Sequence, residues 1–181
     1  MRYHLLMRQD DSRTALEDAC AIATAAGVCF ALIGGHAVNL YARPRATVDV
    51  DFLVAGNDAV CLRDALVEVG FEVLDWRDEI ASFVRGPQRI DMIVAQGTLS
   101  QQFLADAEVM AGAPCPVVSA EALISLKLQA FNNDPRRLQD LVDIKSLVDC
   151  SGGSLDLTLL RSVFELFDRA RLFDELFPQD A

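Results

Sequence analysis

No stretch of this chain approaches the roughly 18 uninterrupted apolar residues of a membrane span. The N-terminus, MRYHLLMRQDDSR, has too short an apolar stretch and too many charges for a secretory signal. Cysteines are few and show no CxxC or Cys/His ligand spacing, which argues against structural zinc. The five, Cys20, Cys29, Cys61, Cys115 and Cys150, are odd in number, widely spaced and mostly inside apolar runs. They read as reduced core thiols of a cytoplasmic protein. Basic residues are scarce: 16 Lys and Arg stand against 27 Asp and Glu, a formal charge of −11. That excludes a surface tracking nucleic acid over its whole extent, because phosphate contacts need Lys and Arg. A local basic patch remains open, since arginines cluster at 43–45 and 85–89, with a further pair at 136–137. There is no internal repeat and no low-complexity tract.

What is present is a soluble, globular composition: 181 residues, 52% of them apolar, enough for one core or a core with a helical annex. The most informative stretch is Ala31–Val54, ALIGGHAVNLYARPRATVDVDFLV. The apolar run Phe30–Ile33 ends at Gly34-Gly35, and His36–Tyr41 reads as a helix stopped near Pro44. A strand, a glycine turn and a helix N-terminus make an anion site: glycine admits a phosphate close to the backbone, and free N–H groups point at it. Asp49 and Asp51 then stand at i and i+2 in a second apolar run. If Val48–Val54 is a strand, both carboxylates leave one face with their Cα atoms about 6.5–7 Å apart. Such carboxylates repel, and a divalent cation between them removes the problem. Mg²⁺ takes one or two carboxylates and completes its shell with water and substrate phosphates.

The segments Gly34-Gly35-His36-Ala37 and Arg45-Ala46-Thr47-Val48-Asp49-Val50-Asp51 resemble the nucleotidyltransferase superfamily with the polymerase-β-like fold. The resemblance is closest to minimal nucleotidyltransferases and AbiEii-type toxins, whose pattern runs G-G-x-A, then R-x-T-x-D-hydrophobic-D. It is close over residues 31–54 and loose to about residue 148. It implies an α/β (α+β) fold, a mixed sheet flanked by helices with a C-terminal helical segment. It further implies that Asp49 and Asp51 bind Mg²⁺ (or Mn²⁺) and a nucleoside triphosphate, with Gly34 and Gly35 holding phosphates and Arg45 and Thr47 lining the nucleotide pocket. The family's acceptors are tRNA ends, proteins and small molecules. A toxin paired with an antitoxin partner is the biological role the resemblance suggests.

A third acid stands in Arg89–Ala95, a β-rich run whose lone Asp91 costs free energy unless paired or ligating. By resemblance Asp91 is the third metal carboxylate and takes the proton of the acceptor hydroxyl; the alternative is a solvent-facing sheet edge. Lys127 lies on a helix over Ala120–Phe131 opened by Ser119. The resemblance puts it on the triphosphate, while the residues alone equally allow a snorkelling surface lysine. A helix over Pro135–Val148, with Asp134 as N-cap and Pro135 at N1, carries Asp140 and Asp143 on one face. This resembles the basic-then-D-x-x-D stretch of AbiEii-type proteins, although such a pair is more often a solvated or ion-paired face. His36 reads as a hydrogen-bonded helix-start residue or a phosphate contact.

The remaining pattern predicts helices at Ser12–Ala26, ended by Gly27, and Asp58–Val69, ended by Gly70. It predicts strands at Phe71–Asp75, Ile80–Val84 and Arg89–Ala95, the last two joined through Gly86-Pro87. Ser100–Met110 reads as helical, Gly112–Pro116 as a loop, and Val117-Val118 as a short strand. A turn at 151–154 precedes a terminal helical segment, Leu155–Phe177, whose broad apolar surface is core, a homodimer face or a partner face. The expected division is a nucleotidyltransferase core at 1–118 and a helical region at 119–181. Beside the transferase stand a non-catalytic nucleotide- or partner-binding regulatory module and a metal-dependent phosphohydrolase.

Overall fold

A computed structural model describes residues 14–178. Ser12, with which the sequence opens the first helix, and the charged N-terminal segment lie outside the described residues. Among these, two compact units form: one reaches to His36 and resumes over Ala46–Val118, the other takes Ala37–Arg45 and the chain from Ser119 onward.

The first unit is a mixed seven-stranded sheet with helices. Helix α1 (Ala15–Ala26) opens on a capping box, Thr14 accepting from the Glu17 N–H while the Glu17 carboxylate accepts from the Thr14 N–H. It ends where Gly27 turns left-handed at φ 68°. Strand β1 (Phe30–Ile33) is buried throughout and pairs antiparallel with β2 (Val50–Ala55). Helix α2 (Gly34–Tyr41) follows β1 directly, and α3 (Ala59–Glu68) follows β2. A meander comes next: β3 (Glu72–Trp76), β4 (Ile80–Arg85) and β5 (Gln88–Ala95). Gly86, at φ 56°, supplies the turn between the last two. Then come α4 (Thr98–Ala105), β6 (Glu108–Val109) and β7 (Pro116–Val117). The strand order is β3-β4-β5-β2-β1-β7-β6, with β2 and β5 parallel at the centre.

The second unit holds α5 (Ala120–Asn133), α6 (Leu138–Cys150), α7 (Leu157–Leu166) and α8 (Ala170–Leu176). Ser119 caps α5 by accepting from the Ala122 N–H, and Asp156 caps α7 through the N–H groups of Thr158 and Leu159. Leu160, Val163, Phe164 and Phe173 of the C-terminal apolar stripe are buried core, while Leu166 is exposed; Phe164 and Phe173 meet edge to face at 5.5 Å.

Several local expectations are corrected. Strand β2 begins at Val50, so Asp49 precedes it, and Val48 and Asp49 are exposed. The helix expected over Ser100–Met110 stops at Ala105, and Glu108–Val109 pairs instead with Pro116–Val117. Helix α6 starts at Leu138: Asp134 accepts from the Arg136 N–H in a separate turn, which spends the expected cap. The terminal segment breaks at Asp168, which takes φ 55° between α7 and α8. Three of the five cysteines, Cys29, Cys61 and Cys150, are exposed rather than core. No helix of the described residues is long and apolar enough to cross a membrane.

Candidate active site

The register of the central strands puts four residues in one row. Ile33, the last residue of β1, pairs with Asp51; Asp51 pairs with Asp91 across the parallel β2–β5 ladder; Asp91 pairs with Ser82 on β4. Asp91 therefore sits on a central strand, not at a sheet edge, and it is half-buried. Its carboxylate has partners. Ser82 Oγ donates to Oδ1 at 2.5 Å, and Arg89 Nε donates to Oδ1 at 3.1 Å and Oδ2 at 3.0 Å. Arg89 and Asp91 share a face because they stand two residues apart on one strand. The hydrogen bond to Asp91 and that residue's charge hold Arg89 firmly protonated, with Asp49 and Asp51 adding to the same effect.

Gly34 lies against Asp51. It takes φ 65°, and a Cβ built on it would fall 2.7 Å from the Asp51 Cβ and overlap the carboxylate. Glycine is thus required twice here, by the left-handed backbone and by the close approach. Gly35 is buried, and Thr47 is half-buried on the segment leading into β2. All of these belong to the first unit, as does Asp49. Among the described residues no group of three or more His, Cys, Asp or Glu converges as a metal cluster.

Arg45 and Lys127 belong to the second unit, where they meet the D-x-x-D pair. Arg45 donates from Nε to Asp143 Oδ1 at 2.8 Å and from Nη2 to Oδ2 at 2.7 Å, a bidentate fork. Its backbone is fixed by Asn39, whose amide accepts from the Arg45 N–H and donates to the Arg45 carbonyl. Lys127 Nζ reaches Asp140 Oδ1 at 2.9 Å and Asp143 Oδ2 at 2.6 Å. Arg137 completes Asp140 at 2.6 Å. Asp140 and Asp143 are buried, and so is Lys127. Of the solvated or ion-paired face expected for the two acids the ion-paired form holds, buried rather than solvated, and the snorkelling reading of the lysine is overturned: burying two carboxylates is tolerated because three cations neutralise them. Burial pushes the Asp143 carboxyl up, but hydrogen bonds from Arg45, Lys127 and Gln139, with the Lys127 charge, outweigh it and lower the pKa to about 2. Beside this network, a groove of about 510 Å³ is lined by Arg43, Arg45, Gln139, Asp143, Lys145 and Asp149, among others.

Sequence reasoning missed Ser82 and the direct hold of Arg89 on Asp91. Two signals were available: the i, i+2 spacing of Arg89 and Asp91, and the Gly86-Pro87 turn, which as a two-residue hairpin loop sets 82 opposite 91.

No family model matches the chain, and no curated protein sequence matches it. Solved structures do. The chain is similar to ANT(2'')-Ia in complex with adenylyl-2''-tobramycin, at 19% identity and a TM-score of 0.61, over 85% of this chain and 94% of that one. It is similar to the solution structure of the same antibiotic-resistance factor at 18% identity and TM-score 0.65, over 89% and 93%. A nucleotidyltransferase-like protein from Paracoccidioides brasiliensis matches at 16% and 0.56, over 93% and 92%. The chain therefore has the nucleotidyltransferase fold.

Proposed function

We propose that this chain is a Mg²⁺-dependent nucleotidyltransferase that moves an NMP unit from an NTP to a hydroxyl acceptor and releases pyrophosphate. The observation that carries the reading is the cross-strand row that sets Asp51 beside Asp91, with Gly34 closed against Asp51. An all-oxygen donor set of two carboxylates suits Mg²⁺, which fills its shell with water and substrate phosphates; Mn²⁺ shares that preference. Asp51 and Asp91 would hold the ion, with Asp49 entering from the segment before β2. When bound, the ion would neutralise charge on the transferring phosphate. Asp91 would accept the proton of the attacking hydroxyl. Gly34 and Gly35 would present backbone N–H groups to the phosphates at the start of α2, and Thr47 would line the nucleotide pocket. Arg45 and Lys127, which the resemblance puts on the nucleotide, instead neutralise the buried Asp143, and Lys127 also Asp140.

A charge of −11 disfavours a nucleic-acid acceptor and favours a small or cationic one. ANT(2'')-Ia, solved with adenylyl-2''-tobramycin, is a small-molecule precedent on the same fold. The finer reading, an AbiEii-type toxin with an antitoxin partner, rests on the G-G-x-A and R-x-T-x-D-hydrophobic-D patterns alone.

The test is a transfer assay with α-labelled NTPs, Mg²⁺ or Mn²⁺, and separate RNA, protein and small-molecule fractions. Asp49→Ala and Asp51→Ala run alongside. Metal-dependent label with wild type only supports the reading and names the acceptor class. Mg²⁺-dependent NTP binding that persists in both variants would overturn it.

A further inference from the structure

Arg89 is the charged neighbour of Asp91 on the same face of β5, and both ends of the contact are specific: one guanidinium Nε spans both carboxylate oxygens at 3.0 and 3.1 Å. The guanidinium also feels the charges of Asp49 and Asp51. One cation thus holds Asp91, the acid paired with Asp51 across the β2–β5 ladder. The guanidinium also makes a long contact, Nη2 to Ser82 Oγ at 3.4 Å, and the side chain is 45% exposed. Release into solvent therefore costs little, as expected for a partly exposed ion pair. Ser82 stays on Asp91 and would keep the carboxylate aimed after the arginine has left.

We propose that Arg89 is a built-in counter-ion of the acid cluster: it holds Asp91 while no divalent ion is bound and yields the carboxylate to the metal. This rests on the metal-platform reading above. Arg89 is a positioning residue here, acting through Asp91. Its presence offsets repulsion among the acids in the resting protein, and it sets a threshold that a divalent ion must exceed to bind. A bare ion must meet that modest threshold alone. An ion arriving with a triphosphate brings anionic charge for which the displaced guanidinium is a ready partner, so metal and nucleotide should bind with mutual support.

The experiment is Mn²⁺ titration of the full chain, read by electron paramagnetic resonance of the free ion, without NTP and with a non-hydrolysable NTP analogue. The proteins are wild type, Arg89→Gln, Arg89→Lys, Asp91→Asn and the Arg89→Gln/Asp91→Asn pair. Removing a unit charge about 5 Å from a divalent ion should tighten Mn²⁺ binding on the order of tenfold at low salt. Arg89→Gln should show that gain and Arg89→Lys little of it, and the gain should vanish in the Asp91→Asn background. The NTP analogue should tighten Mn²⁺ binding more in wild type than in Arg89→Gln. A merely structural arginine would weaken binding when lost, not strengthen it. Equal or weaker Mn²⁺ binding by Arg89→Gln, with wild type binding normally, overturns the counter-ion role and leaves the transferase reading standing. No Mn²⁺ binding by any of the proteins overturns both.

Discussion

Lys127 on α5 and Asp143 on α6 form a buried ion pair, Nζ to Oδ2 at 2.6 Å, and the same lysine bridges to Asp140 at 2.9 Å. One ammonium thus serves two buried carboxylates. Lys127→Met removes the shared cation and keeps the bulk. It should destabilise the protein by about 3–5 kcal/mol, since uncompensated charge is left buried. That corresponds to a melting temperature lower by roughly 10 °C for a chain of this size. Thermal unfolding by circular dichroism measures it, and a change of under a degree or two would show the bridge to be dispensable.

The Asp143 carboxyl makes the fold sensitive to acid. Its folded pKa, about 2, lies below the ordinary carboxylate value of about 3.9. Its contribution is therefore fully present above pH ~4 and is lost as pH falls through about 2. The linkage amounts to about 2 kcal/mol. Urea unfolding of wild type between pH 5 and pH 2 should show stability falling across that window. Asp143→Asn should be less stable at pH 5 and flatter below it. Parallel pH profiles would exclude Asp143 as the source.

Gly34 and Gly27 have nearly the same left-handed backbone, φ 65° and 68°, but different surroundings: nothing lies within 4 Å of a Cβ on Gly27. Gly27→Ala should cost only the backbone strain, about 1–2 kcal/mol, and leave nucleotide binding alone. Gly34→Ala pays the same strain and also displaces Asp51. It should abolish Mg²⁺-dependent NTP binding. Equilibrium binding of a fluorescent NTP to both variants separates the two effects; retained binding by Gly34→Ala would show that the close approach to Asp51 is not needed.

Thiol reactivity should divide the cysteines into two groups. Cys29, Cys61 and Cys150 are exposed, while Cys20 and Cys115 are buried with their sulfurs 2.8 Å apart. Native protein should release three equivalents from an aromatic disulfide reagent quickly, and all five only after unfolding. Five fast equivalents in the native state would mean that the contact between Cys20 and Cys115 opens readily.

Local chemistry in the sequence was enough to place most elements. Alternation and apolar runs put β1 at Phe30–Ile33 to the residue. Glycines 27 and 70 marked helix ends, and Gly86-Pro87 marked a hairpin, because a left-handed turn needs glycine. Ser119 announced α5, since a hydroxyl before an apolar helix satisfies a free N–H. Short-range rules failed where two local options compete. Asp134 could cap a helix or a tight turn and took the turn; residues 106–110 continued a helical pattern but paired with β7.

The candidate site divides the same way. The D-x-D and its glycine turn could be read in line, because their residues stand close together in sequence. Two relationships depend on distance along the chain and only the fold supplies them. Asp51 meets Asp91 because β2 and β5 are parallel neighbours, and parallel strands are joined by a crossover whose register no local signal encodes. Ser82, by contrast, reaches Asp91 across the local hairpin that Gly86-Pro87 marks. Asp140 and Asp143, which on the sequence read as a solvated or ion-paired helix face, are buried because α5 brings Lys127 and the segment after α2 brings Arg45. Burial of a charge depends on where its counter-charges are, and these come from 98 and 13 residues away. The sequence by itself determined where the glycine turn and the paired aspartates stand along the chain; tertiary structure alone decided which distant charges are paired, that Asp51 and Asp91 adjoin, and where glycine has no substitute.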